Sequence, residues 1–384
     1  MLTNILFWSI VLILVHNYFI YPVVIFFISH FFKGNNNLTD HNYSISIIIS
    51  AFNEEKVIRD RIINISNLIY DFNNLEVLIG SDGSTDKTNS ILIDMQNKYP
   101  WLSVNLFASR RGKVSVINDL LAKSKNEIIV FTDANTIFDA NSLKNLIRQF
   151  GDKKIGGVCG RLVLSEPKTK LNESVEEKSY WEYETFIKKY EGRCGVLIGA
   201  NGGIFAIRRI LFKPLPDIKP ITDDIFITLM IHQQKYKFSY EYDAFGLEDV
   251  GYEIIHEFNR KTRFSSTNFE TMFHFKDLLL NRNLLLSYAF WSHKILRWMT
   301  PIFLLIIFFL NIILWNGFIF QMFLFAQIVF YSLSFIGFIK RKAIVKNKIF
   351  TIPFYFSMTN LAMLIGMINF ILKKQTPFWQ PIPR

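Results

Sequence analysis

The chain has 384 residues, half of them hydrophobic, with a mean hydropathy of +0.22 and a formal net charge of +11. Such hydrophobic content argues against a purely soluble protein, and its concentration at the two ends points to membrane segments around a polar middle. The positive charge suits anionic lipid headgroups or a diphosphate ligand; nucleic acid is not expected as a partner, because the middle carries no basic stripe interleaved with aromatics.

Ile5 to Phe32 is apolar apart from Ser9, His16, Asn17, Ser29 and His30, which is long enough to span a bilayer as a helix. A cleaved signal peptide is the rival reading. The run is longer than a signal core, has no basic start and is followed by no small-x-small site, so a retained anchor is expected over 1–34. A short polar linker follows around Lys33–Asn42.

Ser44–Ser50 (SISIIIS) reads as a buried strand. Asn53 is expected to cap a helix, with Glu54 and Glu55 in its first turn. Leu75–Gly80 is the second strand, and Ser84 or Thr85 is expected to cap the helix that Pro100 ends. Val104–Phe107, a helix from Gly112 to about Lys123 and the strand Glu127–Thr132 follow. Strands alternating with helices imply βαβ units and a mostly parallel α/β sheet. The two cysteines, Cys159 and Cys194, match no zinc spacing and are expected to be reduced and buried in a cytosolic domain.

Three acidic stations punctuate this region: Ser81-Asp82-Gly83-Ser84-Thr85-Asp86, Thr132-Asp133-Ala134-Asn135 and Thr222-Asp223-Asp224. A carboxylate at a strand's end lies at the carboxyl edge of a parallel sheet, where open α/β sheets bind ligands. Asp82 is placed to accept hydrogen bonds from a base or ribose, although a plain capping Asp-Gly turn reads the same way. Asp133 and Asn135 offer oxygen ligands to Mg²⁺ or Mn²⁺, or alternatively cap a strand end. Arg110-Arg111-Gly112-Lys113 sets cations beside a helix amino terminus, a conflict that a bound anion would remove; a solvated basic loop is the alternative. Asp223 and Asp224 form a like-charge pair opening a helix through Ile231, which favours a general base, or else a simple capping pair. Glu182, Tyr183 and Glu184 sit on an amphipathic helix that either borders an acceptor groove or faces solvent.

Toward the carboxyl end, Leu284–Thr300 mixes Trp291, Trp298, His293, Lys294 and Arg297 with apolar residues at helical spacing, the pattern of a helix lying in the headgroup plane over 281–300. The alternative is an amphipathic helix packed on the soluble domain. Pro301–Ile319, Phe320–Ile339 and Ile349–Leu372 are long enough to span, with Trp315-Asn316-Gly317 as the turn between the first two. Lys340-Arg341-Lys342, with Lys346 and Lys348, marks a cytosolic loop by the positive-inside rule. The middle region is then cytosolic as well. Lys373, Lys374 and Pro353 leave the last segment open between a span and a re-entrant or interfacial helix.

Together these pieces resemble the family 2 glycosyltransferases, membrane-embedded inverting enzymes that use nucleotide-diphosphate sugars. SIIISAFNEEKVI resembles the first strand and nucleotide-contacting loop, VLIGSDGSTDKT the nucleotide-binding turn, and RRGKVSVIN the basic element near the diphosphate. FTDANT stands where the family carries Asp-x-Asp, with Asn135 in place of the second Asp; GANGGIFAIRR resembles the Gly-rich pocket segment, and ITDD the Thr-Glu-Asp element. The Gln-x-x-Arg-Trp helix of polymerising members is altered here: Arg260 or Arg263 keeps the Arg, Phe264 stands at the Trp and the Gln is missing.

The resemblance implies a GT-A, Rossmann-like cytosolic domain over 35–280, flanked by transmembrane helices at 1–34 and 301–384 in a multi-pass inner-membrane protein. It implies Asp224 as base with Asp223 beside it, and nucleotide contacts from Ala51, Asn53, Glu54, Asp82, Ser84, Lys113 and Arg263. Asp133 and Asn135 would hold Mg²⁺ or Mn²⁺, and Gly199, Asn201 and Gly202 would line the donor and acceptor pocket. The implied partners are a UDP- or GDP-type sugar donor, a saccharide or lipid-linked acceptor, and the bilayer. A non-processive transferase on a polyprenyl acceptor is the nearest alternative. A nucleotide-sensing transporter is disfavoured because the spans hold almost no ionisable residues.

Overall fold

The computed structural model describes residues 1–32, 38–39, 41–165, 175–217, 219–249, 254–340 and 347–375. Most of the expected linker, together with Arg341, Lys342 and Lys346, lies outside the described residues.

Eight strands form one sheet in the order β3-β2-β1-β4-β7-β6-β8-β5. They are β1 (Ile45–Ala51), β2 (Leu75–Asp82), β3 (Leu102–Phe107), β4 (Ile128–Phe131), β5 (Ile137–Phe138), β6 (Ile155–Ser165), β7 (Phe205–Arg208) and β8 (Lys237–Asp249). The half from β3 to β4 is wholly parallel, as the alternation of strands and helices implies. β7 runs antiparallel to both β4 and β6, so the complete sheet is mixed. In β1, Ile45, Ile47 and Ile49 face one apolar layer while Ile48 joins the other. A strand covered on both faces needs an unbroken apolar run rather than alternation, which SISIIIS supplies.

The helices of this region are α2 (Ile58–Ser66), α3 (Thr88–Lys98), α4 (Lys113–Lys123), α5 (Ser142–Arg148), α6 (Val175–Cys194), α7 (Asp223–Gln233) and α8 (Ile254–His274), numbered after α1 (Leu2–Ser29). Residues of α2, α3 and α5 cover one face of the sheet; α4, α6 and α7 cover the other, together with Tyr21 and Ile25 of α1. α4 lies so close that a side chain at Gly80 would overlap Val116. That approach brings the start of α4 over the end of β2.

Two caps differ from expectation. Asn53 caps no helix: its φ is +55°, and α2 begins only at Ile58. Neither Ser84 nor Thr85 caps α3; Lys87 stands at the N-cap without a side-chain bond, and Asp86 before it accepts from the Thr88 N–H at 3.0 Å through Oδ1. Asn53 and Ser84 instead bond each other, because the loop after β1 closes onto the turn after β2.

Among the described residues, three helices are long and apolar enough to cross a membrane: α1, α11 (Phe318–Ile339) and α12 (Lys348–Ile371). α9 (Leu284–Trp298) and α10 (Thr300–Ile313) make a fourth if the pair, bent by 60°, is one span. The turn at Trp315-Asn316-Gly317 falls between α10 and α11 as expected, and Pro353 sits inside the continuous α12. The cations of α9 do not face outward as a helix in the headgroup plane would require. His293 is fully buried and Arg297 is 7% exposed, because His293 meets the buried carboxylates Glu184 and Glu191 of α6 and Arg297 meets Glu184.

Candidate active site

Two of the three acidic stations meet at one lysine, and the first holds the loop that carries it. Gly112 holds φ at +93°, a conformation suited to glycine, and starts α4 so that Lys113 leads it. The Lys113 Nζ lies 3.0 Å from Asp133 Oδ1 and 3.0 Å from Asp223 Oδ2. Burial works against the ammonium, yet Asp133 and Asp223 overcome it and raise the lysine pKa. Thus Lys113, expected at a diphosphate, bridges two carboxylates.

Asp223 and Asp224 open α7, where carboxylates complement the helix dipole. The Asp224 Oδ1 accepts from the Ile225 N–H at 2.7 Å. A Cβ on Gly202 would stand 3.4 Å from Asp224 Oδ2 and 3.8 Å from Asp133 Oδ2, so Gly202 leaves the space above both carboxylates open. Burial and then the neighbouring Asp223 push the Asp224 carboxyl up to about 6, against the pull of Lys188 and Lys113. Arg263 of α8 feels the field of Asp223, Asp133 and Asp224 and therefore belongs to this rim; burial, with Arg260, lowers its pKa.

Asp82 stands at the edge of this group and is 3% exposed. Its oxygens accept from the Arg111 N–H at 2.7 Å and the Gly112 N–H at 2.9 Å. It therefore fixes the loop that delivers Lys113, and any contact with a base falls to its remaining lone pairs. The expected nucleotide wall is a set of mutual hydrogen bonds. The Asn53 N–H donates to Ser84 Oγ at 3.1 Å, and the Thr85 N–H donates to Asn53 Oδ1 at 2.8 Å. The Glu55 N–H donates to Asp86 Oδ2 at 3.1 Å, and the Lys87 N–H donates to Glu55 Oε2 at 3.0 Å. Ala51 and Glu54 are buried beneath this wall.

Two expected pocket residues are corrected. Asn201 is buried and engaged at both ends: Nδ2 donates to Gly160 O at 2.7 Å and Oδ1 accepts from Lys188 Nζ at 2.5 Å. Gly199 lies against Ile225 and Lys294 rather than against the carboxylates. The Asn135 amide donates to Glu248 Oε1 at 3.1 Å, so Asn135 is directed toward β8.

No cluster of three metal-ligating side chains occurs among the described residues. Asp133 supplies hard oxygens beside open space, which fits a divalent ion completed by phosphate oxygens and waters. Only the Nδ2 of Asn135 is engaged, with Glu248, which leaves its Oδ1 as the atom that could join such an ion.

The sequence reading missed Lys188, a buried cation of α6 whose charge acts on Asp224, and the charge node behind it. In that node His293 Nδ1 lies 2.7 Å from Glu191 Oε1, His293 Nε2 lies 3.1 Å from Glu184 Oε2, and Arg297 pairs with Glu184. The Tyr21 hydroxyl of α1 donates to Glu191 Oε1 at 2.5 Å. Burial opposes the Glu184 charge, but Lys294, His293 and Arg297 hold its carboxyl well below the ordinary range. Both cysteines are free and buried, as expected; burial pushes the Cys159 thiol up to about 11.

Residues 46–215 match the family model Glycosyl transferase family 2. A poly-beta-1,6-N-acetyl-D-glucosamine synthase of Staphylococcus epidermidis is 24% identical over 200 residues, which cover 51% of this chain and 48% of that protein. The "Probable glycosyltransferase YdaM" of Bacillus subtilis is 27% identical over 202 residues, covering 50% and 47%. The chain spans about half the length of these curated relatives. The mannosyltransferase PcManGT from Pyrobaculum calidifontis, solved with GDP-Man and Mn²⁺, superposes with a TM-score of 0.70 at 16% identity, over 96% of this chain and 100% of that one. That likeness shows the fold, a mixed α/β GT-A sheet with apolar helices at both ends.

Proposed function

We propose that this chain, which carries a family 2 glycosyltransferase domain, moves a sugar from a nucleoside-diphosphate donor to an acceptor hydroxyl at a membrane, with inversion at the anomeric carbon. The observation that carries the reading is the meeting of Lys113, Asp133, Asp223 and Asp224 at one rim of the sheet beside Gly202. The relatives' printed activities favour a hexosyl or N-acetylhexosaminyl donor, and the GDP-Man complex of the structural neighbour favours a UDP- or GDP-type carrier.

Asp224 takes the proton of the acceptor hydroxyl. A carboxyl pushed up to about 6 is a stronger base than an ordinary aspartate, yet is still mostly ionised at neutral pH. The acceptor oxygen bonds to the anomeric carbon as the bond to the diphosphate oxygen breaks on the opposite face. Lys113 and Arg263 provide positive charge where the leaving group gains negative charge. Mg²⁺ or Mn²⁺ held by Asp133 would add charge neutralisation at the diphosphate. The apolar helices and the basic residues Lys340 and Lys348 support a multi-pass arrangement with the catalytic domain on the cytoplasmic side.

The test is a panel of UDP- and GDP-sugars incubated with the purified chain and membrane lipid, read as release of the nucleoside diphosphate with and without Mn²⁺. Release from one donor class is expected. Binding without release from any donor would reject transferase activity.

A further inference from the structure

Ser265, Ser266, Thr267 and Asn268 follow one another in α8, and all of them are buried. Buried polar groups are costly unless each finds a partner, so their partners show what the helix joins.

Toward the carboxyl end of the chain the partner is α12. The Ser265 hydroxyl donates to Met363 O at 2.8 Å, and the side-chain amide of Gln375, just past α12, donates to Ser266 O at 3.1 Å. A side chain at Gly366 would overlap Thr262 O and Ser265, so the two backbones lie as close as glycine permits. Phe370 of α12 stacks on Phe269 and Phe273, with ring centroids 5.8 and 5.4 Å apart. α8 is therefore firmly seated on a candidate membrane helix.

Toward the reactive rim the partner is Thr222, the residue before Asp223. Thr222 is the N-cap of α7, yet its side chain makes no cap bond to that helix. The Ile225 N–H, which an N-cap threonine commonly serves, donates to Asp224 Oδ1 instead. The Thr222 hydroxyl turns to α8 and donates to Asn268 Oδ1 at 2.8 Å. Its oxygen also lies 2.6 Å from Thr267 Oγ1; with its one proton given to Asn268, it accepts from the Thr267 hydroxyl. One turn before Thr267, the same helix carries Arg263, which the field of Asp223, Asp133 and Asp224 reaches.

We propose that Thr222, Thr267 and Asn268 are positioning residues: their shared hydrogen bonds fix the aspartate pair at the start of α7 against Arg263 of α8, and α12 holds α8 in place. They act through Asp224 and Arg263 and not on the substrate. The inference rests on the glycosyl-transfer reading, in which Asp224 faces the acceptor hydroxyl while Arg263 faces the leaving diphosphate. A displacement of about 1 Å between such groups can cost on the order of 10²-fold in rate.

The purified 384-residue chain in detergent is compared with Thr222→Val, Thr222→Ser and Asn268→Leu. The rate is counted per nucleoside-diphosphate-binding site, so that unfolded molecules do not enter. Thr222→Val keeps the volume and loses the hydroxyl; kcat should fall about 10- to 100-fold, with donor KM and diphosphate affinity within about twofold. Thr222→Ser keeps the hydroxyl and should stay within about threefold of the wild-type rate. Asn268→Leu should repeat the valine result, and the double variant should be no slower than the slower single, because both cut one joint. A wild-type kcat in Thr222→Val, an equal loss in Thr222→Ser, or losses that multiply in the double variant each overturn the proposal. Should Thr222→Val not fold, Gly366→Ala, which must push α12 and α8 apart, has to lower kcat at unchanged KM; a wild-type rate there overturns the proposal. Amide hydrogen exchange separates the joint from the transferase reading. The Phe226 N–H, bonded to Thr222 O at 2.9 Å, should exchange faster in Thr222→Val and in Asn268→Leu. Faster exchange in a chain that turns over no nucleotide sugar would sink the transferase reading and leave the joint standing. Turnover with exchange and kcat both unchanged would sink the joint alone.

Discussion

The rim at Asp224 and the node at Glu184 are made of the same ingredients, buried carboxylates among lysine and arginine, yet they are poised in opposite ways. At the node, Lys294, His293 and Arg297 crowd one carboxylate and hold its pKa far down. At the rim, Asp133 and Asp223 share Lys113, and Asp224 is left with a raised pKa. Matched charge in a dry interior makes a fixed joint, while unmatched charge beside open space makes a reagent. Each substitution below should break that contrast or sharpen it.

Asp224→Asn should lower turnover by about 10²–10⁴-fold, the usual contribution of a positioned base, while nucleoside diphosphate affinity stays within about twofold. Steady-state rates and diphosphate titration check this; retained turnover would move the base elsewhere. Glu184→Gln should act on folding instead. It strands Arg297 and Lys294 inside the protein and should cost about 3–5 kcal/mol, seen as a lowered midpoint of unfolding in detergent. An unchanged midpoint would mean that the node is not the fixed joint described.

The third prediction concerns pH. The Asp224 carboxyl titrates near 6, so turnover should fall as pH drops through that value and the base becomes protonated. Asp223→Asn removes the like charge beside it and should move the acid limb to lower pH. A limb that stays in place would assign the shift to burial alone. The smallest effect is expected from Gly202→Ala. Its new Cβ stands 3.4 Å from Asp224 Oδ2, an ordinary contact, so turnover should change by less than about fivefold, or about 1 kcal/mol.

The contrast also explains what could be read from the sequence. Strands such as SISIIIS and LEVLIG, and the carboxylates at their ends, carry local patterns, so the parallel half of the sheet was legible, and so was the nearness of Asp133 and Asp224; Asp82, expected with them, instead holds the Arg111–Gly112 backbone. The node was not. Lys294 and Arg297 show the same helical spacing whether they face headgroups or a glutamate more than 100 residues away, and only tertiary packing decides between the two. The Asn53 cap was misread for a related reason. Asn suits both an N-cap and the left-handed region, and its choice here depends on Ser84 and Thr85 across the sheet edge. Asn201 shows the limit of motif reading, since a polar residue in a Gly-rich segment can support the pocket from behind as well as line it.

The paired bonds from Asn53 and Glu55 to the Ser84–Lys87 turn have a consequence for recognition. They lock two neighbouring loops into one preassembled berth before any ligand arrives. A nucleoside docking at that corner has little chain left to order, so most of its contact energy remains available as affinity.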